Sequence, residues 1–227
     1  RIKFRNKILP FYHEQYVAVG KYGTGCVYDR IKSLIKRKGG KFKFNESVKG
    51  IKCSGKKIIE ISTNKRKYKT QTDEIIISTL PISITSRFLG KKNNLKFRGI
   101  CSVYLFYKKN QILPKNHHWL YFESDRLLFN RITENKKLTK FVAPKNSSYL
   151  TAEITYTQGD KFSDLDPNTV MKKVKEQIKM TKITDNKDLV GTSINYEPYV
   201  YPVQFADYKN EVARVKSFVE SFDNLFS

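Results

Sequence analysis

Acidic residues are scarce in this chain: 21 Asp and Glu stand against 44 Lys and Arg, a formal charge of +23 over 227 residues. Tryptophan occurs once, methionine twice, cysteine three times and proline seven times. Each shortage excludes something. Cys26, Cys53 and Cys101 are too few and too scattered for a disulfide framework or a metal spacing, so a reducing compartment, the cytoplasm, is expected. No apolar run approaches the roughly 20 residues that span a bilayer, and Arg1-Ile2-Lys3-Phe4-Arg5 is not a signal peptide. Missing as well are a G-x-G-x-x-G after a strand, a Walker loop, H-E-x-x-H and G-x-S-x-G. The usual phosphate cradles and hydrolase signatures are thereby excluded.

The abundant residues then have to be explained. A pI of 9.8 points towards nucleic acid or an anionic membrane. Yet Lys outnumbers Arg 34 to 10, alongside abundant Asn, Ile, Tyr and Phe, a tally that A/T-rich codons produce without any partner. The lysines are also dispersed in short pairs that flank turns, such as Lys56-Lys57, Lys91-Lys92 and Lys136-Lys137. Nucleic acid is therefore disfavoured, and a solvated surface is the simpler reading.

Periodicity sets the architecture. Val27, Ile31, Leu34 and Ile35 repeat at helical spacing over residues 24–38, with Thr24 as the expected cap and Gly39-Gly40 as the stop. Alternation then predicts strands at 41–44, 48–53, 57–63 and 67–70. The run 74–79 is apolar on both faces, as a covered central strand would be, and Pro81 opens a helix. Beyond residue 97 the texture is antiparallel: strands at 100–108, 148–157 and 189–196, a hairpin of 118–122 with 127–132, and helices at 166–178 and 207–222. The fold class is α+β, with a seam near residues 80–95.

Several residues invite chemical roles. Gly23-Thr24-Gly25, entering a helix, presents backbone N–H groups suited to an anion, or simply starts the helix. Adjacent His117 and His118 point to opposite faces of a strand and have no third ligand in spacing, so no metal is expected. Cys26 is either a thiol activated by the helix start or a small buried residue. Arg131 follows the apolar Leu127-Leu128-Phe129 among Trp119, Tyr121, Tyr196, Tyr199 and Tyr201. Its guanidinium either grips a phosphate or carboxylate, or pairs with an acid such as Glu153. The residues alone leave the two equal.

The order of segments resembles the flavin-containing amine oxidase and protoporphyrinogen oxidase superfamily. The helix, Gly39-Gly40, Asn45-x-x-Val48-x-x-Ile51 and Asp73–Pro81 carry this resemblance. The second half is similar to the UDP-galactopyranose mutase branch, through Trp119-Leu120-Tyr121-Phe122, Phe129-Asn130-Arg131, Glu153 and Tyr201-Pro202. Val200, Tyr22 and Asn130 depart from that branch's pattern.

The resemblance implies a remnant of an FAD-binding α/β domain (residues 1–80) joined to a substrate domain (81–227) with a mixed or antiparallel sheet and flanking helices. It implies FAD as cofactor, contacted by Val48, Thr79, Pro81, Gly23 and Gly25. It also implies a small-molecule substrate, a UDP-sugar in the mutase version, held by Tyr121, Arg131 and Tyr201. No catalytic residue is assigned. The rivals are an oxidase or desaturase acting on an apolar substrate and a non-catalytic basic module. The superfamily's G-x-G-x-x-G would lie before Arg1 and its C-terminal Gly-Arg flavin motif after Ser227. The expectation is therefore an internal stretch of a longer flavoprotein, inactive alone and unable to retain FAD.

Overall fold

The computed structural model describes residues 2–4, 7–9 and 23–227, and the chain is α+β. Strands β1 (Ile2–Phe4) and β2 (Lys7–Leu9) pair antiparallel. Helix α1 (Gly25–Arg37) forms where the apolar spacing required it. Gly39, at φ +85°, ends it, in a left-handed conformation that strains any residue with a side chain. Thr24 does not cap: its own backbone is helical, and its hydroxyl accepts no helix N–H. The stripe of Val27, Ile31, Leu34 and Ile35 is present but exposed, each residue by more than 40%. The expected strand at 41–44 joins no ladder. Phe42 and Phe44 instead stack on each other with centroids 5.7 Å apart.

Strands β3 (Val48–Ser54), β4 (Lys57–Thr63) and β5 (Lys67–Lys69) form the expected antiparallel meander. Strand β6 (Ile76–Ile77) is shorter than the apolar run suggested, and its neighbours Ile75 and Leu80 are exposed. Helix α2 (Ile82–Phe88) follows Pro81; it fully buries Ser83, Thr85 and Ser86, while Ile82, Ile84 and Phe88 are half-buried. Next come β7 (Phe97–Tyr107), β8 (Trp119–Tyr121) and β9 (Arg131–Glu134). Residues 127–130, expected as strand, are loop, because the Leu128 N–H donates to the Gln177 side chain instead of to a ladder. Arg131 therefore starts a strand rather than ending one. The remaining elements are β10 (Ser148–Thr157), α3 (Pro167–Met180), β11 (Leu189–Pro202), α4 (Tyr208–Val219) and β12 (Leu225–Phe226). Asp166 caps α3 by accepting from the N–H groups of Asn168 and Thr169. β12 pairs with β6 in parallel, and the large sheet runs β11-β7-β10-β9-β8.

Two compact units emerge, interleaved along the sequence. The first comprises residues 1–41, 101–154 and 165–195. In it, alternation along β7 and β10 buries Val103, Leu105, Tyr107, Leu150 and Ala152, while α3 buries Val170, Val174 and Ile178. Tyr107 Oη donates to Asn186, whose amide donates to the Lys175 carbonyl of α3, so the helix covers this face. Glu134 shares the buried side at 0% exposure. Its carboxylate accepts from the Ile112 and Leu113 N–H groups (2.9 and 2.8 Å) and from Ser148 Oγ (2.6 Å), with Lys137 Nζ at 3.8 Å.

The second unit comprises residues 42–100, 155–164 and 196–227. Its core gathers Ile58, Leu95, Val215, Val219, Phe222 and Leu225. Asn224 acts as a substitute strand, its side-chain amide bonding both the N–H and the C=O of Ile58. Glu211 of α4 accepts the Asn94 N–H and a forked pair from Arg214, whose guanidinium also reaches the Lys92 carbonyl.

Mainly through the Arg214 hydrogen bond, the Glu211 carboxyl is pushed down to about 2. An unfolded Glu titrates near ~4.3. The native state thus gains stability from Glu211 above that value and loses it as pH falls towards 2. Arg214→Ala should move the acid-unfolding midpoint, followed by circular dichroism from pH 6 to 2, to higher pH. An unmoved midpoint would show that the clamp does not govern acid stability.

Candidate functional site

The face of the large sheet opposite α3 carries polar and aromatic side chains, and strand register decides which of them meet. Tyr121 of β8 lies opposite Arg131 of β9, which lies opposite Glu153 of β10; Trp119 and Thr151 flank Thr133 in the same way. Residues directly opposite share a face, so these side chains converge. Trp119, Tyr121, Arg131, Thr133 and Glu153 line a concavity of about 490 Å³, completed by Asn135 and Leu138 from the turn after β9. Asn135 is fixed by donating to Thr151 Oγ1 at 2.6 Å. Further along the face, Tyr149 lies 6.3 Å from Tyr104 and 5.9 Å from Phe106, an aromatic continuation.

Arg131 is the charged centre of this concavity. Its Nε and Nη2 both reach Glu153 Oε2 at 2.5 Å, and Nη1 stands 3.4 Å from Tyr121 Oη, with the guanidinium carbon 5.8 Å from that ring's centroid. Of the two sequence readings of Arg131, the pairing with Glu153 is observed, and the side chain also lines an open concavity. The hydrogen bond to Glu153 raises the arginine pKa, so the positive charge is permanent. A guanidinium has five N–H donors. Glu153 and Tyr121 occupy three of them, which leaves one on each terminal nitrogen without a partner among the described residues. Glu153 nearly cancels the net charge, so Arg131 offers directed donors rather than a long-range field. Beside it, Trp119 and Tyr121 are 39% and 66% exposed and present ring surface to solvent.

The other candidates fall elsewhere. Tyr201 belongs to the second unit, exposed on β11 beside Arg98, Thr155 and Pro202. Gly23 and Gly25 stand at the start of α1 in the first unit; Gly23 is at φ +56°, and the first turn has no side-chain cap. Val48, Thr79 and Pro81 lie in the second unit, at the start of β3 and in the turn after β6. His117 and His118 are exposed, and no group of three or more His, Cys, Asp or Glu among the described residues is placed to hold a metal ion. Cys26 is half-buried.

Sequence reasoning missed Thr133, Asn135 and Leu138. Alternation from Arg131 would have found Thr133, had β9 been placed correctly. Nothing in the sequence marks the other two, because a turn brings them in.

Residues 3–205 match the model of the flavin-containing amine oxidoreductases. The chain belongs to the flavin-containing amine oxidoreductase family. Its fold is similar to that of a reduced UDP-galactopyranose mutase (TM-score 0.71, 19% identity, covering 90% of this chain and 44% of that one). It is also similar to a putative protoporphyrinogen oxidase from Exiguobacterium sp. 255-15 (TM-score 0.69, 12% identity, covering 91% and 46%). The chain spans less than half the length of either structure. No protein of curated function matches the sequence.

The family is flavin-containing, and features within each unit bear on whether such a group fits. The Ser47 carbonyl accepts from the Asn64 N–H, and the Ser47 N–H donates to the Asn64 side chain, so the Ser47 peptide groups face β4. Alternation turns those of Val48 to the opposite edge, where no described strand pairs with β3. An adenine ring can hydrogen-bond such an open edge. Thr79 and Pro81 follow the carboxyl end of a parallel strand pair, where α/β sheets bind cofactors. In the first unit, the positive end of α1 carries no side-chain cap, although its Cys26 and Val27 N–H groups already donate to the Gly23 and Thr24 carbonyls.

Proposed function

We propose that this chain is the central part of an FAD-dependent enzyme acting on a nucleotide sugar or a similar anionic substrate. One observation carries the reading: Arg131, oriented by Glu153, keeps two N–H donors for an incoming group beside the exposed rings of Trp119 and Tyr121. A planar base with a diphosphate matches rings and donors side by side. Arg131 compensates the charge that grows on a departing diphosphate, and Tyr121 walls the pocket and steadies the guanidinium. Tyr201 keeps the substrate-contact role that the resemblance implies for it.

FAD supplies the flavin chemistry when bound. Val48, Thr79 and Pro81, with Gly23 and Gly25, are the residues that would hold it. We assign residues 1–80 to the cofactor domain and 81–227 to the substrate domain of a longer, cytoplasmic protein. The exposed Ile77 and Phe226 of the two-stranded parallel sheet support the greater length alone, since parallel sheets are normally covered on both faces; their pairing joins residues from the two sides of that boundary. The chain by itself is not expected to retain FAD.

A second reading, an oxidase or desaturase of the same family, is favoured by Tyr104, Phe106 and Tyr149, which would line an apolar site. A basic binding module fits less well. Lys136 and Lys137 are anchored to loop carbonyls, and Lys56 and Lys91 lie over the Phe218 and Phe222 rings. These lysines are structural rather than an open cationic patch. Calorimetric titration of UDP into the FAD-loaded full-length protein separates the first two readings. Saturable binding is expected, and no binding at millimolar UDP would favour the oxidase.

A further inference from the structure

A second concavity, of about 250 Å³, is lined, among the described residues, by the second unit and shares none of them with the Arg131 pocket. Three strand ends and the last turn of α2 build it. Phe97 opens β7, Thr157 closes β10, and Tyr199 comes from the far half of β11; Arg87 projects from the end of α2, and Lys96 precedes Phe97. Phe97 and Tyr199 meet edge to face with centroids 5.5 Å apart, which holds the half-exposed Tyr199 ring in place.

Charge makes this concavity more than a surface dent. Two cations, Arg87 and Lys96, line it together, with no carboxylate among the described residues. Neither has an ion-pair partner among the described residues. The nearby acids are already committed. Asp160 accepts from the Thr157, Phe162 and Ser163 N–H groups and from Ser163 Oγ, which holds its carboxyl below the usual range although burial opposes this. Glu211 is forked to Arg214. Two cations lining one concavity repel each other, and a dianion held there relieves that repulsion. Gln158 and Thr157 add polar residues to the lining, and Leu95, Phe97 and Tyr199 add apolar ones.

We propose that this concavity binds a small phosphate monoester bearing one planar ring, with the phosphate between Arg87 and Lys96 and the ring against Tyr199. Its volume falls just below the usual range of ligand pockets, about 300–1,000 Å³, which limits the ligand to roughly one ring. The site is separate from the proposed substrate pocket and stands or falls without it.

The test uses full-length protein with phenyl phosphate as probe and isothermal calorimetry as readout. It is run in wild type and in an Arg131→Ala background, which removes the other guanidinium. Arg87→Ala or Lys96→Ala should weaken phenyl phosphate at least about tenfold in both backgrounds, the loss expected for a charged hydrogen bond. Tyr199→Ala should weaken phenyl phosphate several-fold and leave inorganic phosphate unchanged. The proposal is overturned if phenyl phosphate does not bind wild type at millimolar concentration. It is equally overturned if inorganic phosphate binds as tightly, or if Arg131→Ala alone abolishes binding.

Discussion

Replacing Arg131 with alanine should cost the full-length protein about 1–3 kcal/mol of UDP affinity, roughly 5- to 150-fold in Kd. The reasoning starts from geometry. Glu153 takes Nε and one Nη2 donor, and Tyr121 takes one Nη1 donor, so the guanidinium is held before any ligand arrives. A diphosphate oxygen then meets donors that lose little freedom on binding. Truncation also strands the Glu153 carboxylate, 19% exposed, against the incoming anion, which pushes the loss towards the upper end. Arg131→Lys keeps the charge but not the fork, and should lose most of the same affinity. Titration calorimetry with UDP reads both variants. Wild-type affinity in Arg131→Ala would remove this residue from the substrate pocket and, with it, the nucleotide-sugar reading.

Glu134→Ala is expected to be the most damaging single change for stability, by about 3–5 kcal/mol. The carboxylate is fully buried and accepts from two backbone N–H groups and a hydroxyl. Removing it leaves the Ile112 and Leu113 N–H groups without an acceptor in a place water does not reach, and unpairs Lys137. Unsatisfied buried donors cost about 1–3 kcal/mol each, though not additively. Glu134→Gln keeps one acceptor oxygen but turns an NH₂ group towards a donor, so it should fall in between. Urea denaturation of the full-length variants provides the ranking. An alanine variant within about 1 kcal/mol of wild type would mean that the loop carrying Ile112 and Leu113 rearranges to satisfy itself.

Much of the fold was legible because its elements obey local rules. The meander β3-β4-β5 is split where Ser54-Gly55 and Asn64-Lys65 stand, and α3 starts at Asp166-Pro167 with Val170, Val174 and Ile178 inward, as its 3.6-residue period requires. The failures have a common cause as well. Leu127-Leu128-Phe129 has the composition of a strand, yet Leu128 bonds to Gln177 from a helix fifty residues away. The run 74–79 reads as a central strand, but among the described residues β6 pairs with β12 alone and leaves Ile75 and Ile77 exposed. Composition measures what a segment is able to bury, and only its neighbours decide whether it does.

Arg131, Tyr121 and Glu153 could each be singled out by residue type, and the order of segments was enough to point to the flavin amine oxidoreductases. Neither the Arg131–Tyr121–Glu153 juxtaposition nor the bounds of the two units is written in any local stretch, because both depend on which strands pair and in which register. A shift of one residue would send Arg131 to the buried face. The amino-acid order thus determined the helices, most strands and the family. The long-range hydrogen-bond ladder decided which side chains share a pocket, since pairing joins residues that are distant along the chain.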